Sequence, residues 1–166
     1  MAVRDLLIHT SAVQDIAKAR FAFPNQEHPY YKTYLNRPEH TMGVRLPSGH
    51  AAYPDIVVVQ EPENYVKMLG QVETSEAINE ASGQQWLTFA QVGPLYLFIP
   101  VGFADKARRI CRRLQVPIVG LRTWRYAVGY QEIEITDIMT QWRGIEDLLP
   151  GPLARMAKPM VPGRVD

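Results

Sequence analysis

Apolar residues at Leu6, Leu7, Val13, Ile16, Ala17 and Phe21 recur at roughly helical spacing between charged neighbours and stop before Pro24, which predicts an amphipathic helix from Val3 to Phe23. No period holds from Asn25 to Gly49, where prolines and glycines interrupt a cluster of Tyr30, Tyr31 and Tyr34 with His28 and His40. That stretch reads as mostly loop with one short helix or strand. Order returns at Tyr53-Pro54-Asp55-Ile56-Val57-Val58-Val59, whose β-branched run predicts a strand buried on both faces. Glu61-Pro62-Glu63-Asn64 has turn composition, and Tyr65 to Thr74 follows as a second strand, so the two form a hairpin.

The pattern then changes period. Ser75 is placed to cap a helix that runs to about Val92, weakened at Gly83 and stopped by Gly93-Pro94. A strand at Leu95 to Val101, a helix from Phe103 to Leu114 and a strand at Pro117 to Leu121 complete an alternation of α and β. Tyr126 to Ile135 adds one or two edge strands, and Asp137 to Leu149 reads as a short helix. The expected fold is therefore α/β, a central mixed four- to five-stranded sheet flanked by helices. One domain spans residues 1–149, with a Pro- and Gly-containing tail at 150–166.

Composition narrows the class without choosing a function. With 166 residues, 46% of them hydrophobic and 21% charged, the chain suits a single globular domain and excludes collagen-like or wholly disordered architectures. Eighteen Lys and Arg against 17 Asp and Glu give a net charge of +1, so no global field draws the chain to nucleic acid. Cys111 is the only cysteine, which excludes an intrachain disulfide or a Cys-x-x-Cys zinc site. Charges at Arg4, Asp5, Asp15, Lys18 and Arg20 break any apolar signal block. A soluble, cytoplasmic protein with no membrane partner is expected.

The chemistry-bearing residues cluster around the predicted hairpin. Pro54-Asp55 opens the first strand and Gly70-Gln71-Val72-Glu73-Thr74 ends the second. Alternate strand residues share a face, so Gln71 and Glu73 can converge beside Asp55. Together with the order of elements over roughly residues 3–121, this resembles the PD-(D/E)xK nuclease superfamily, whose motif sets an aspartate at one strand and an acid, a spacer and a lysine on the next.

The resemblance implies a restriction-endonuclease-like core and a metal-dependent hydrolysis of DNA phosphodiesters. Asp55 and Glu73 would then hold Mg²⁺ or Mn²⁺, and Gln71 would join them as the third catalytic position. The sequence departs from the family pattern at two places, because Gln71 stands for the acid and Glu73 for the lysine. Lys67 lies six residues before Glu73, roughly 20 Å along an extended strand, so it does not replace the lysine. Asp15, Glu27 and Glu39 are candidates for an upstream acid, with His40 and His50 as polar partners.

Residues 106–113 form a basic amphipathic helix. Lys106, Arg108, Arg109, Arg112 and Arg113 project from one side and Ala107, Ile110, Cys111 and Leu114 from the other. With Arg122 and Arg125 they make a stripe of seven cations between Lys106 and Arg125, facing no acid, that can hold phosphates of DNA or RNA. Its bland reading is a solvated helix face. Trp124 and Tyr126, flanking Arg125, suit either stacking on bases or covering a sheet. Gln84 and Gln85 are polar candidates on the helix after Glu73, and Cys111 reads as a buried small hydrophobe. The alternative to an endonuclease is a catalytically weak or inactive module of the same fold that binds nucleic acid or a protein partner. A homodimer is a further possibility, through the edge strand or the C-terminal segment.

Overall fold

The computed structural model describes residues 3–129 and 132–139. Helix α1 spans Val3–Arg20, α2 Glu80–Ala90 and α3 Ala104–Leu114. Strands run β1 Tyr31–Leu35, β2 Val44–Arg45, β3 Ala51–Ala52, β4 Ile56–Gln60, β5 Tyr65–Val72, β6 Leu95–Pro100, β7 Gly120–Tyr126 and β8 Ile133–Met139. Six of them form one mixed sheet in the order β1-β4-β5-β6-β7-β8, while β2 and β3 pair separately. The sheet is thus wider than the four to five strands expected, because the stretch read as mostly loop with one short helix or strand supplies β1 at one edge and β8 closes the other.

Pairing is antiparallel from β1 through β4 to β5, parallel from β5 through β6 to β7, and antiparallel again at β8. The β4–β5 antiparallel pair is the hairpin that the sequence predicts. Parallel strands require crossovers, and α2 and α3 supply them.

Each sheet face carries its own core. Val57, Val59, Leu69, Leu97 and Ile99 pack with Trp86, Phe89, Ile110 and Cys111 of α2 and α3. Ile56, Val58, Val72 and Phe98 pack with Ala12, Val13, Ile16 and Ala17 of α1. The alternation within Ile56 to Val59 places consecutive valines in opposite cores, so this run is buried on both faces as expected. Cys111 sits in the first core, and burial pushes its thiol up to about 12, which makes it an unreactive hydrophobe.

Four sequence expectations are corrected locally. Asn79 rather than Ser75 caps α2, its Oδ1 accepting from the Ser82 N–H at 3.0 Å, because Ser75–Ala77 close a separate 3₁₀ turn first. On α1, Leu6 and Leu7 are exposed and His9 occupies the buried stripe with Ala12, Val13, Ile16 and Ala17. The strand expected at Pro117 to Leu121 begins at Gly120 and extends through the aromatic segment to Tyr126, where it pairs with both β6 and β8. Asp137 to Met139 belong to β8, not to a helix. Ile133, Ile135 and Asp137 alternate at a strand period, and their pairing with β7 overrides local helix preference. The remainder of that expected helix and the tail at 150–166 lie outside the described residues.

Candidate functional site

The end of β5 and the start of β4 meet because Ile56 pairs with Gly70, which sets Asp55 beside Gln71. The Asp55 N–H donates to Gln71 Oε1 at 3.1 Å, and Gln71 Nε2 donates to Glu73 Oε1 at 3.3 Å. The three residues named from the sequence are therefore one hydrogen-bonded chain. All three side chains are buried, at 3%, 5% and 4% exposure for Asp55, Gln71 and Glu73, on a sheet otherwise lined with aliphatics. Buried carboxylates require partners, so what surrounds them defines the site.

Asp55 is the most fully satisfied. Its Oδ1 accepts from Arg37 Nε at 2.8 Å, and its Oδ2 accepts from the Val72 N–H at 3.2 Å and from His9 Nε2 at 3.1 Å. His9 is 3% exposed and its other ring nitrogen, Nδ1, is buried with no hydrogen-bond partner among the described residues. Arg37 is different, since about a third of its side chain is exposed. It bonds Asp55 through Nε only, and its two terminal nitrogens meet no acceptor among the described residues.

Glu73 is held from both cores, by a tryptophan of each. Trp86 Nε1 of α2 donates to Glu73 Oε1 at 2.9 Å, and Trp124 Nε1 of β7 donates to the Glu73 carbonyl at 3.2 Å. Thus Trp124 serves as a positioning donor and core residue. Burial raises the Glu73 carboxyl above the usual range and the neighbouring Asp55 charge adds to the rise, whereas the Trp86 and Gln71 hydrogen bonds and His9 oppose it. Glu73 Oε2 makes no protein hydrogen bond among the described residues.

These groups open onto a cleft of about 420 Å³ between α1, α2 and the loop after β1. Gln85 and Ser82 line its α2 side, and His40 and Tyr53 its loop side, stacked with ring centroids 3.9 Å apart. Of the sequence candidates, Gln85 and His40 reach the cleft, whereas Asp15 does not. Tyr126 donates to Asp15 Oδ2 at 2.8 Å at a different surface. Glu27, Glu39 and His50 are exposed and do not line the cleft, and Lys67 does not either. His9 and Arg37 are the members that sequence reading missed. His9 fits the stripe of α1 at i+4 and i+7, so a histidine on an apolar face was the available signal; Arg37 stood in a stretch with no period.

The basic helix is less free than its sequence suggests. Arg113 pairs with Glu80 of α2 at 3.3 Å, Arg108 with Asp105 at 3.8 Å, Arg122 with Asp137 at 2.8 Å and Arg125 with Glu134 at 2.7 Å. The stripe of seven cations facing no acid is corrected accordingly, because tertiary packing brings acids from α2 and β8 against it. Lys106, Arg109 and Arg112 are exposed and pair with no acid among the described residues.

No protein-family model, curated protein or solved structure matches the chain. What fold and site define together is a mixed α/β protein with a buried Asp-Gln-Glu chain at the end of its central hairpin, braced by a histidine, an arginine and two tryptophans. No helix among the described residues is long and apolar enough to cross a membrane.

Proposed function

We propose that the cleft is a divalent-cation-dependent phosphodiester hydrolase site of the PD-(D/E)xK type acting on DNA. One observation carries the reading: Asp55, Gln71 and Glu73 are joined by direct hydrogen bonds in a cleft at the end of an antiparallel β4–β5 pair, followed by a helix and a parallel strand. The restriction-endonuclease-like description of the sheet belongs to the same proposal and rests on the same connectivity.

The donor set fits a hard cation. Among the described residues there is no group of three His, Cys, Asp or Glu placed to hold a metal, so a zinc-type site has no support. Mg²⁺ and Mn²⁺ ask less of the protein, since one or two carboxylates complete a shell made largely of water and substrate oxygen. Asp55 Oδ1 and Glu73 Oε2 are the atoms that would hold the ion. When bound, it would supply Lewis-acid polarisation of a phosphoryl oxygen. The chain's own residues orient the site: Gln71 fixes the spacing of the two carboxylates, Trp86 and Trp124 fix Glu73, and His9 with the Val72 N–H fixes Asp55.

A second reading, a module that holds nucleic acid without turnover, draws on the Arg37 and His9 contacts that already satisfy Asp55. Cleavage of supercoiled, branched and single-stranded DNA with Mg²⁺ or Mn²⁺ separates the two. Hydrolysis lost in Asp55→Asn and with a chelator supports the hydrolase, and absence of hydrolysis on every substrate favours the binding module.

A further inference from the structure

Among the described residues Arg37 is the one arginine or lysine that touches the Asp-Gln-Glu chain, beside His9, and its geometry is that of a group with two uses. Its Nε holds Asp55 Oδ1 at 2.8 Å, on the same carboxylate oxygen that a divalent ion would take. Arg37 lines the cleft, its terminal nitrogens meet no acceptor among the described residues, and the side chain is partly exposed, so it can swing without unpacking a core. A guanidinium offers a planar fork of donors that matches the non-bridging oxygens of a phosphate.

Charge makes the two uses interdependent. With both carboxylates ionised, Asp55 and Glu73 supply two negative charges, and Arg37 returns one positive. A divalent ion alone leaves the cleft net positive beside a partly buried guanidinium, and a phosphodiester alone leaves it more negative still. Only the ion and a singly charged phosphodiester together bring the group to neutrality. In a site this buried, an uncompensated charge is costly, so each ligand should improve the affinity of the other.

We infer that Arg37 is the phosphate-binding residue of the cleft, held on Asp55 in the free protein and transferred to a non-bridging oxygen of a phosphodiester when a divalent cation takes its place on Asp55. The inference rests on the hydrolase reading above and deepens it. The guanidinium thereby occupies the cationic role that the motif lacks at Glu73, but from the loop after β1 instead of from β5. The exchange also couples the two ligands: metal binding without substrate is weak, and substrate binding without metal is weak.

Mn²⁺ binding followed by electron paramagnetic resonance, with and without dimethyl phosphate as a phosphodiester that persists through the measurement, tests this directly. In the unaltered protein the phosphodiester should tighten Mn²⁺ binding about fivefold or more, and Mn²⁺ should tighten phosphodiester binding by the same factor. In Arg37→Ala, Mn²⁺ should bind more tightly in the absence of the phosphodiester, and the coupling should fall to about one. Arg37→Gln keeps the side-chain stem and removes the charge, so the same loss of coupling in a variant with unchanged circular dichroism excludes unfolding as its cause. Equal Mn²⁺ affinity and equal coupling in all three proteins would overturn the role of Arg37 while leaving the metal site standing. Mn²⁺ binding that is absent throughout, or that survives Asp55→Asn unchanged, would overturn the hydrolase reading and the role of Arg37 with it.

Discussion

The cleft and the basic face of α3 both drew notice as concentrations of charge, but they differ in burial and therefore in what charge means there. In the cleft, Asp55 and Glu73 are nearly inaccessible and each carboxylate is held by several donors from different elements. On α3, Arg113 and its partner Glu80 are both mostly exposed, and their contact bridges two neighbouring helices across solvent. A buried polar group must be compensated by structure, so its neighbours are informative about purpose; an exposed charge needs only water. The contrast makes the cleft the place where the fold constrains charge, whereas the helix face is first of all a solvated surface.

Of the changes that bear on this contrast, removing Asp55 should be the most damaging. Asp55→Ala leaves Arg37, His9 and the Val72 N–H without their acceptor, and the expected loss is about 2–4 kcal/mol, reduced from the full value for a buried pair because Arg37 is partly exposed. Urea unfolding measures it. The alanine variant is thus a poor probe of catalysis, and Asp55→Asn, which retains an acceptor oxygen, is the better one. Under the hydrolase reading, Asp55→Asn should lose metal-dependent cleavage while losing much less stability.

Gly83 tests how the α2–α3 face is built. A Cβ at this position would lie 2.3 Å from Ile110 Cγ2 and 2.7 Å from Leu114 Cδ1, so glycine allows the two helices to close together. Gly83→Ala improves helix propensity by about 1 kcal/mol, but overpacking costs about 1–3 kcal/mol, and Ile110 is held in the core. The net effect should be destabilising by about 1 kcal/mol, read as a lower midpoint in urea. A stabilised variant would mean that the helices separate easily.

That glycine also shows what was legible in the chain. Sequence reading marked it as a weak point of a helix, because propensity is local, but the helix that approaches it is set by packing. The same division runs through the site. Asp55, Gln71 and Glu73 were legible because strand alternation and a two-residue spacing are local rules, and the β4–β5 hairpin brings them together. His9 was less so, since Leu6 and Leu7 competed for the buried stripe and only docking against Asp55 selects the histidine face. Arg37 was not legible, and β1 only as one short helix or strand of no fixed place, because an irregular segment acquires its conformation from the edge of β4 that it covers. The pairing of Arg122 and Arg125 with Asp137 and Glu134 likewise depends on the β7–β8 register.

The pH dependence of stability sharpens the contrast further. The fold holds the Glu73 carboxyl protonated to higher pH than the unfolded chain does, chiefly through burial and then through the nearby Asp55. Between the two values the folded state binds more protons, so stability falls as pH rises. The contribution is fully present below about pH 4.3 and is lost as pH climbs through the raised value in the fold. Glu73→Gln keeps an acceptor for Trp86 and removes this titration. Its melting temperature should therefore fall less than that of the unaltered protein as pH rises from weakly acidic to neutral, and parallel curves for the two proteins would contradict the assignment.

The smallest effect belongs to the surface. A double-mutant cycle on Glu80 and Arg113 should give a coupling of about 0.2–1 kcal/mol, weakened by added salt, because both side chains are 61% exposed. Nucleic-acid binding offers an independent reading of the same face. If α3 contacts phosphates, Arg109→Ala and Arg112→Ala should each lower the salt slope of DNA affinity by about 1, since neither arginine pairs with an acid among the described residues. Arg113→Ala should lower it less, because Glu80 already neutralises that side chain and fewer counterions are there to release. Equal slopes in all three variants and the unaltered protein would make α3 a solvated face, and would leave the Arg37 cleft as the place where this chain meets phosphate.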